Sequence, residues 1–294
     1  MNAVAKVRAQ GKINLFLRIL AREASGYHAL ETLFARLDLA DDITVRPSAG
    51  QRSVDCRGAD VGPAESNLAY RAAVAYSDAA GWPGGFAIEI DKRIPVGGGL
   101  GGGSADAGAV LRALNALART PLPALQLLQI AATLGADVPF MTQEATWALG
   151  WGRGQRLLEI HPLPSMPVSI VTFPFGVSSG AAFGWVADAR AGGLHTVEAR
   201  ALSFGDLAHW DSIAVLASND FETEVTRRHP AIARSLASAR AANPLVAQLS
   251  GSGSTVFVIP RAHSPTPDLG DQPAGTAVLA TRTAVSVEDV VVTR

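Results

Sequence analysis

The chain has 294 residues, 48% of them hydrophobic and 17% charged, and a formal net charge of −1 at pH 7. This balance excludes an intrinsically disordered chain and a strongly basic surface for nucleic acid, and no apolar run reaches the roughly 20 residues that a membrane span requires. The single cysteine excludes an internal disulfide, and the N-terminus lacks the apolar core of a signal peptide. We therefore expect a globular cytoplasmic protein with no nucleic-acid or membrane partner.

The first half of the chain is predicted to contain both strands and helices. Ser66 is suited to cap a helix that ends near Ala80, and Ser104 to cap one that runs through AVLRALNALA. A third helix is predicted to stop at Gly135. Apolar runs and period-two alternation predict strands. The remaining predicted elements are strands over 12–20, 43–46 and 86–90, the third helix over 123–134, and a strand with a glycine turn over 146–160.

The segment HPLPSMP at 161–167 has the proline density of a linker, and we place the domain boundary there. This predicts two domains, 1–160 and 167–294. Strands and helices are mixed in both without regular βαβ alternation, which favours an α+β architecture. The elements predicted for the second domain are a strand over 168–173, helices near 181–190 and 219–240, the strand TVFVI, a loop over 264–275 and two terminal strands.

The glycine-rich segment PVGGGLGGGSADAG occupies residues 95–108. The lysine of a Walker A loop is missing, because Gly103 is followed by Ser104 and Ala105. A dinucleotide fold is disfavoured because the preceding strand carries acidic residues at alternate positions. Glycines let a backbone approach an anion closely, and a helix that starts at Ser104 would direct unpaired N–H groups at it. We expect an anion-binding loop, with a flexible surface turn as the alternative.

Four segments resemble the GHMP kinase superfamily. In chain order they are GKINLFLRILAREASGYHALETLF at 11–34, PVGGGLGGGSADAG at 95–108, LGADVPFM at 134–141 and LSGSGSTVFVI at 249–259. The first and third resemble the branch that phosphorylates a cytidine-diphosphate-linked methylerythritol in non-mevalonate isoprenoid synthesis. The resemblance implies an α+β fold, with an N-terminal domain like the second domain of ribosomal protein S5 and a ferredoxin-like C-terminal domain. It also implies transfer of the γ-phosphoryl group of ATP to the 2-hydroxyl of the substrate.

The resemblance assigns ATP, bound together with Mg²⁺, to the glycine-rich loop. Ala105 stands where family members usually have a second serine, so the resemblance does not imply metal placement by a loop serine, and we expect no protein metal site. The implied ATP-binding residues are Pro95, Val96, Gly97, Gly98, Gly99, Leu100, Gly101, Gly102, Gly103, Ser104 and Ala105.

The resemblance implies that Lys12 and Asp137 are catalytic. Asp137 matches the catalytic aspartate in the LGADVP element and would handle the hydroxyl proton, whereas alone it could be a turn aspartate that bonds its own backbone. Lys12 would stabilise the transferring phosphoryl group or lower the basicity of Asp137. Asn14 lies on the same strand face as Lys12. It could bind substrate hydroxyls or be a solvent-facing polar residue.

Tyr27, His28 and Phe183 are the residues that the resemblance places around the cytosine of the substrate. Tyr27 and Phe183 would stack on the base, and His28 would hydrogen-bond its edge. Trp185 is a competing aromatic residue, because the VSSGAAF segment matches the family pattern imperfectly.

Two other functions stay open. One is another GHMP small-molecule kinase, such as a mevalonate or sugar kinase. The other is a non-catalytic nucleotide-binding regulator of the same fold, against which the presence of both Lys12 and Asp137 speaks. We expect a monomer or a homodimer that binds a small molecule carrying a cytidine diphosphate group.

Overall fold

The described parts of the protein contain two β-sheets, one of seven strands and one of four, together with helices. The computed structural model describes residues 3–22, 28–82, 84–193, 202–261 and 272–294. The larger sheet contains β1 (Val4–Arg22), β2 (His28–Ser48), β3 (Arg52–Arg57), β4 (Gly85–Asp91), β5 (Trp147–Gly152), β6 (Arg156–Ile160) and β11 (Val291–Thr293). The smaller sheet contains β7 (Pro167–Thr172), β8 (Val246–Leu249), β9 (Val256–Ile259) and β10 (Ala277–Arg282).

The larger sheet is built around the long antiparallel pair β1 and β2. The first part of β2 pairs with β5 and its last part with β4, so one strand joins two branches of the sheet. The order is β11-β1-β2-β4-β3, with β6 on the outer side of β5 and β3 parallel to β4. The smaller sheet has the order β10-β7-β9-β8 and is antiparallel. Helices together with largely antiparallel sheets thus confirm the predicted α+β class.

The helices of the first half are α1 (Leu68–Ala80), α2 (Gly102–Leu117), α3 (Ala124–Leu134) and α4 (Val138–Thr142). Both predicted serine caps were wrong. Asn67 caps α1, because its side chain accepts hydrogen bonds from two amides of the first turn. Gly101 precedes α2 with a left-handed φ of 71°, which places Ser104 inside the helix.

The helices of the second half are α5 (Ser179–Ala191), α6 (Trp210–Leu216), α7 (Glu222–Arg228) and α8 (Pro230–Ala241). The predicted single helix over 219–240 is two helices. His229 has φ −122° and ψ 83°, outside the helical region, and Pro230 begins α8, where a missing N–H carries no cost. Helix α6 was not predicted.

Buried apolar side chains from both halves pack in one cluster. Phe16 and Trp147 of the larger sheet share it with Ile170 and Phe257 of the smaller one. The terminal strand β11 also returns to pair with β1. The two halves thus share a core and a sheet, and the division into domains 1–160 and 167–294 stays a prediction. None of the helices in the described ranges has the length and apolar character that a bilayer crossing needs.

Candidate active site

A cleft of about 400 Å³ lies where the glycine-rich loop, the middle of β1 and the loop between β8 and β9 meet. Most of the predicted site residues converge there. Those that line the cleft are Lys12, Asn14, Gly97, Gly99, Gly101, Gly102, Gly103, Ser104, Asp137 and Phe183.

The glycine-rich loop adopts backbone conformations that other residues disfavour. Gly97, Gly99 and Gly101 have φ values of 74°, 82° and 71°. A Cβ on Gly99 would lie 2.1 Å from the carbonyl oxygen of Ser250, so this glycine is also required for close packing against the loop that follows β8. The loop is therefore a built element, and the alternative of a flexible surface turn is wrong.

Three successive carbonyl groups of the loop are bound by other parts of the protein. The amide of Thr255 donates to Gly98 O at 3.1 Å, the hydroxyl of Ser250 donates to Gly99 O at 3.0 Å, and the amide of Lys12 donates to Leu100 O at 2.9 Å. These contacts fix the loop across both halves of the chain. Amides at the start of α2 lack intrahelical partners, as at every helix N-terminus. The loop can therefore present donors to an anion in the cleft.

Lys12 and Asp137 form an ion pair in the cleft, with Lys12 Nζ 3.4 Å from Asp137 Oδ2. The ammonium also donates to Asn14 Oδ1 at 2.7 Å, and Asn14 Nδ2 donates to the hydroxyl of Thr32 at 2.8 Å. Asn14 is 2% exposed, so the solvent-facing alternative for this residue is wrong. Asn14 thus orients the lysine, while the carboxylate of Asp137 stays 30% exposed and open to a substrate.

The aromatic residues expected around the base are only partly described. Tyr27 lies outside the described residues. His28 stacks on Phe183, with ring centroids 5.2 Å apart and an interplanar angle of 10°. Phe183 lines the cleft, whereas Trp185 packs against Arg228 and His229. The geometry therefore favours Phe183 over Trp185 as the aromatic residue that a ligand would contact.

A buried ion cluster below the loop was missed from the sequence. Lys92 Nζ lies 2.5 Å from Asp41 Oδ2 and 2.8 Å from Asp106 Oδ2. Asp41 also accepts hydrogen bonds from the amides of Arg93 and Ile94, which lead into the loop. Burial raises the pKa of Asp106 to about 7, against the opposing charge of Lys92. The cluster anchors both ends of the loop, and adjacent to it is a second cavity of about 220 Å³.

Asn219 connects the segment before α7 to the loop between β8 and β9. Its Oδ1 accepts from the amide of Phe221 at 3.0 Å, while its Nδ2 donates to Leu249 O and Gly251 O at 2.8 Å each. Asn219 therefore holds the loop between β8 and β9. Across the described ranges, no three His, Cys, Asp or Glu side chains converge in a way that could bind a metal ion.

Comparisons with known proteins agree with this architecture. The model of the GHMP kinases N terminal domain matches residues 67–144, and that of the GHMP kinases C terminal domain matches residues 199–271. A 4-diphosphocytidyl-2-C-methyl-D-erythritol kinase of Pelotomaculum thermopropionicum is 39% identical, over 85% of this chain and 86% of the relative. One of Mycobacterium tuberculosis is 36% identical, over 94% and 88%.

A crystal structure of 4-(cytidine 5'-diphospho)-2C-methyl-D-erythritol kinase superposes with a TM-score of 0.67 at 30% identity, and covers 95% of this chain and 99% of that chain. The mevalonate kinase of Methanococcus jannaschii reaches a TM-score of 0.64 at 11% identity, with coverage of 96% and 98%, which shows a shared fold alone. The expected two-domain GHMP kinase fold is confirmed. The chain belongs to the 4-diphosphocytidyl-2-C-methyl-D-erythritol kinase family of the GHMP kinases.

Proposed function

We propose that the chain transfers the γ-phosphoryl group of ATP to the 2-hydroxyl of 4-diphosphocytidyl-2-C-methyl-D-erythritol. The observation that carries this proposal is the Lys12–Asp137 pair, 3.4 Å apart in a cleft bordered by the glycine-rich loop. Phosphoryl transfer asks a protein mainly to position reactants and stabilise charge, with one group to orient or accept the hydroxyl proton. In this proposal the glycine-rich loop positions the reactants, Lys12 stabilises charge, and Asp137 is the group that takes the hydroxyl proton. A non-catalytic regulator would have no need of a buried lysine aimed at an open carboxylate.

The glycine-rich loop binds the triphosphate through backbone amides, since residues 95–105 contain no cationic side chain. The 16-residue helix α2 directs its positive end at the same point. The adenosine part of ATP then lies in the 220 Å³ cavity on the other face of the loop, next to Asn67 and Lys92. This leaves the 400 Å³ cleft for the alcohol substrate.

Mg²⁺ fits this site as an ion carried mainly by the nucleotide. Its preferred ligands are oxygens, and it is usually bound by one or two carboxylates together with substrate phosphates and water. The cleft supplies one carboxylate, Asp137, and the hydroxyl of Ser104. When bound, the ion neutralises charge on the phosphate oxygens.

Asp137 orients the substrate hydroxyl and accepts its proton as the oxygen–phosphorus bond forms, while the bond from the γ-phosphorus to the β–γ bridging oxygen of ATP breaks and ADP leaves. Lys12 stabilises the negative charge of the transferring group, because a desolvated ammonium interacts more strongly with an anion than one in water does. Lys12 is 3% exposed, and Asn14 holds it in that position.

The cytosine stacks on Phe183. His28 stacks on that ring, so on binding the base takes the place of the imidazole against Phe183 and His28 then hydrogen-bonds the base edge. Tyr27, which lies outside the described residues, is the second stacking residue that the resemblance implies. Stacking on one aromatic ring contributes about 1–3 kcal/mol per base. The cytoplasmic location and the monomeric or homodimeric state stay predictions from the sequence.

The deciding experiment measures ATP-dependent phosphorylation of the cytidine substrate, its uridine analogue, mevalonate and galactose. We expect the cytidine compound to have the highest kcat/KM, the uridine analogue a much lower one, and mevalonate and galactose no turnover. Phe183→Ala should raise its KM by roughly tenfold through lost stacking, and His28→Ala should reduce the preference for cytosine over uracil. Trp185→Ala is the matched control from the same helix and should leave KM unchanged. Preference of the wild type for mevalonate or galactose would refute the proposed substrate.

A further inference from the structure

Arg36 is a charged residue buried in the interior, with an exposure of 2%. Its guanidinium binds the segment that follows the start of α4. Nε donates to Ala145 O at 3.0 Å, and Nη2 donates to Phe140 O and Gln143 O at 2.8 Å each. The same group stacks over the ring of Phe140, with 5.0 Å between the guanidinium carbon and the ring centroid. One side chain therefore ties the last turn of α4 to the residues after it.

The charge of Arg36 has no acidic partner within ion-pair distance in the described parts of the chain. Burial, and secondarily the charge of Arg112, lower the pKa of Arg36 to about 9. A buried charge without a counter-ion is costly, and an apolar side chain of similar volume is often no less stable. Stability alone therefore does not account for an arginine here. Its rigid, planar set of donors does, because it can fix several carbonyl groups in one geometry.

The position of Arg36 connects it to the reacting groups. Lys12 and Arg36 are directly paired residues on β1 and β2. Helix α4 begins immediately after Asp137 and is only five residues long, Val138–Thr142. A movement at its C-terminal end is therefore passed to Asp137 at the other end. The same strand pair thus holds the lysine directly and the aspartate through the helix.

Two other contacts hold the middle of α4 and do not bind its end. Phe140 stacks on Phe34, with centroids 4.8 Å apart. A Cβ on Gly108 of α2 would lie 2.6 Å from the backbone of Met141, so the two helices are in close contact. These contacts would keep α4 against its neighbours without Arg36, whereas the carbonyl groups of Phe140 and Gln143 at its C-terminal end would lose their donor.

We propose that Arg36 is a positioning residue that sets the distance between Lys12 and Asp137 by fixing the C-terminal end of α4. The inference rests on the proposed roles of Lys12 and Asp137. It predicts that loss of the guanidinium changes the rate of the chemical step more than it changes substrate binding, because its hydrogen bonds go to α4 and the residues after it and not to the glycine-rich loop or the aromatic pair of His28 and Phe183.

The test compares Arg36→Met, which removes charge and donors, with Arg36→Lys, which keeps the charge but not the planar set of donors. Arg112→Met is the matched control, because Arg112 is a half-buried arginine that, like Arg36, donates to a carbonyl group, in this case that of Glu288. Steady-state kcat and both KM values are measured and divided by the folded fraction from circular dichroism. A misplacement of about 1 Å can cost roughly 100-fold in rate. We expect kcat of Arg36→Met to fall by about 10- to 100-fold at nearly constant KM, Arg36→Lys to recover part of it, and Arg112→Met to keep the wild-type kcat.

The outcomes separate this inference from the proposed function. A wild-type protein that does not phosphorylate the substrate would refute the proposed function itself. An active wild type whose Arg36 variants keep normal kcat per folded molecule would overturn the positioning role alone. Loss of the folded state in both Arg36 variants would also overturn it, because the arginine would then serve the fold and not the site.

Discussion

Lys12 and Asp137 are the residues on which turnover should depend most. Asp137→Asn removes the proton acceptor and should lower kcat by roughly 10²- to 10⁴-fold. Lys12→Met removes one preorganised charge and should lower kcat by roughly 10²- to 10³-fold. Because the two side chains lie 3.4 Å apart and act together, the double variant should lose little more than the worse single variant.

The measurement is steady-state kcat for the two single variants and the double variant. Asp211→Asn, an exposed aspartate in the first turn of α6, is the control and should match the wild type. Strictly additive losses would show that the two residues act independently.

Asp106 should make stability depend on pH. Burial raises its pKa from 3.8 to about 7 in the folded protein, with Asp41 adding to the rise and Lys92 opposing it. Between these values the folded state holds a proton that the unfolded state releases. The stabilising contribution of the protonated group is therefore complete below about pH 4 and is lost as pH rises to about 7.

Asp106→Asn should abolish this decline, since an amide does not titrate. Urea unfolding of wild type and variant between pH 4.5 and 8 checks the prediction. The free energy of unfolding of the variant, relative to the wild type, should grow as pH rises. Parallel curves would show that Asp106 titrates alike in both states.

The residues of the site differ in how visible they were in the sequence. Lys12, Asn14 and Asp137 could be predicted because short motifs carry them, and the structure places them together. Arg36 and Asp106 could not. Arg36 binds carbonyl groups that lie 104 to 109 residues away, and Lys92, the partner of Asp106, also binds Asp41, which is 51 residues from it. No local sequence pattern marks a charged side chain as buried, so these two residues are recognised only when the fold brings their partners together.

Among the elements, helix boundaries were the least predictable. Ser66 and Ser104 have good capping side chains, but Asn67 and a left-handed glycine precede the helices instead. Propensity ranks the candidates at one position, whereas packing of the loop selects the residue that starts the helix. The break before Pro230 follows from a local rule that limits proline to the first turn of a helix.

The glycine-rich loop can be tested at Gly103, which lies in the first turn of α2. A methyl group there would meet only Leu68 Cδ1, at 3.6 Å, so Gly103→Ala should fold normally. It should nevertheless hinder the close approach of phosphate and raise the KM for ATP by roughly tenfold, about the loss of one hydrogen bond. Gly101 is unsuitable, because a Cβ there would lie 3.1 Å from Lys12 Cγ.

Gly184 in α5 is the matched control, because a Cβ there would meet no atom within 4 Å. Both alanine variants should gain up to about 1 kcal/mol of helix stability. Only Gly103→Ala should change the KM for ATP in a steady-state assay. An unchanged KM in both variants would argue against phosphate binding at the start of α2.

At the scale of the whole molecule, the two halves should not fold independently. The apolar cluster of Phe16 and Trp147 includes side chains of the smaller sheet, and β11 completes the larger one. We expect one cooperative unfolding transition, in which far-ultraviolet circular dichroism and tryptophan fluorescence change together. Fluorescence reports on the contact between the halves, because the ring centroids of Trp147 and Trp210 lie 5.2 Å apart. A fragment of residues 1–160 should remain unfolded.

Two separated transitions, or a folded 1–160 fragment, would contradict this expectation and support independent domains. The α+β class could be read from periodicity, whereas β3, β8 and α6 were not predicted. The shared core could not be predicted, because the linker over 161–167 resembles one between separate domains and says nothing of later strands that return.

The bond from the amide of Thr255 to the carbonyl of Gly98 has a thermodynamic consequence. A nucleotide that binds only while this bond is intact makes opening of the bond harder by RT ln(1 + [L]/Kd). Linkage is reciprocal, so whatever tightens the loop between β8 and β9 must tighten nucleotide binding by the same factor. The smaller sheet thus contributes to nucleotide affinity without contacting the nucleotide, and substitutions in its interior can change that affinity without altering any atom that binds the ligand.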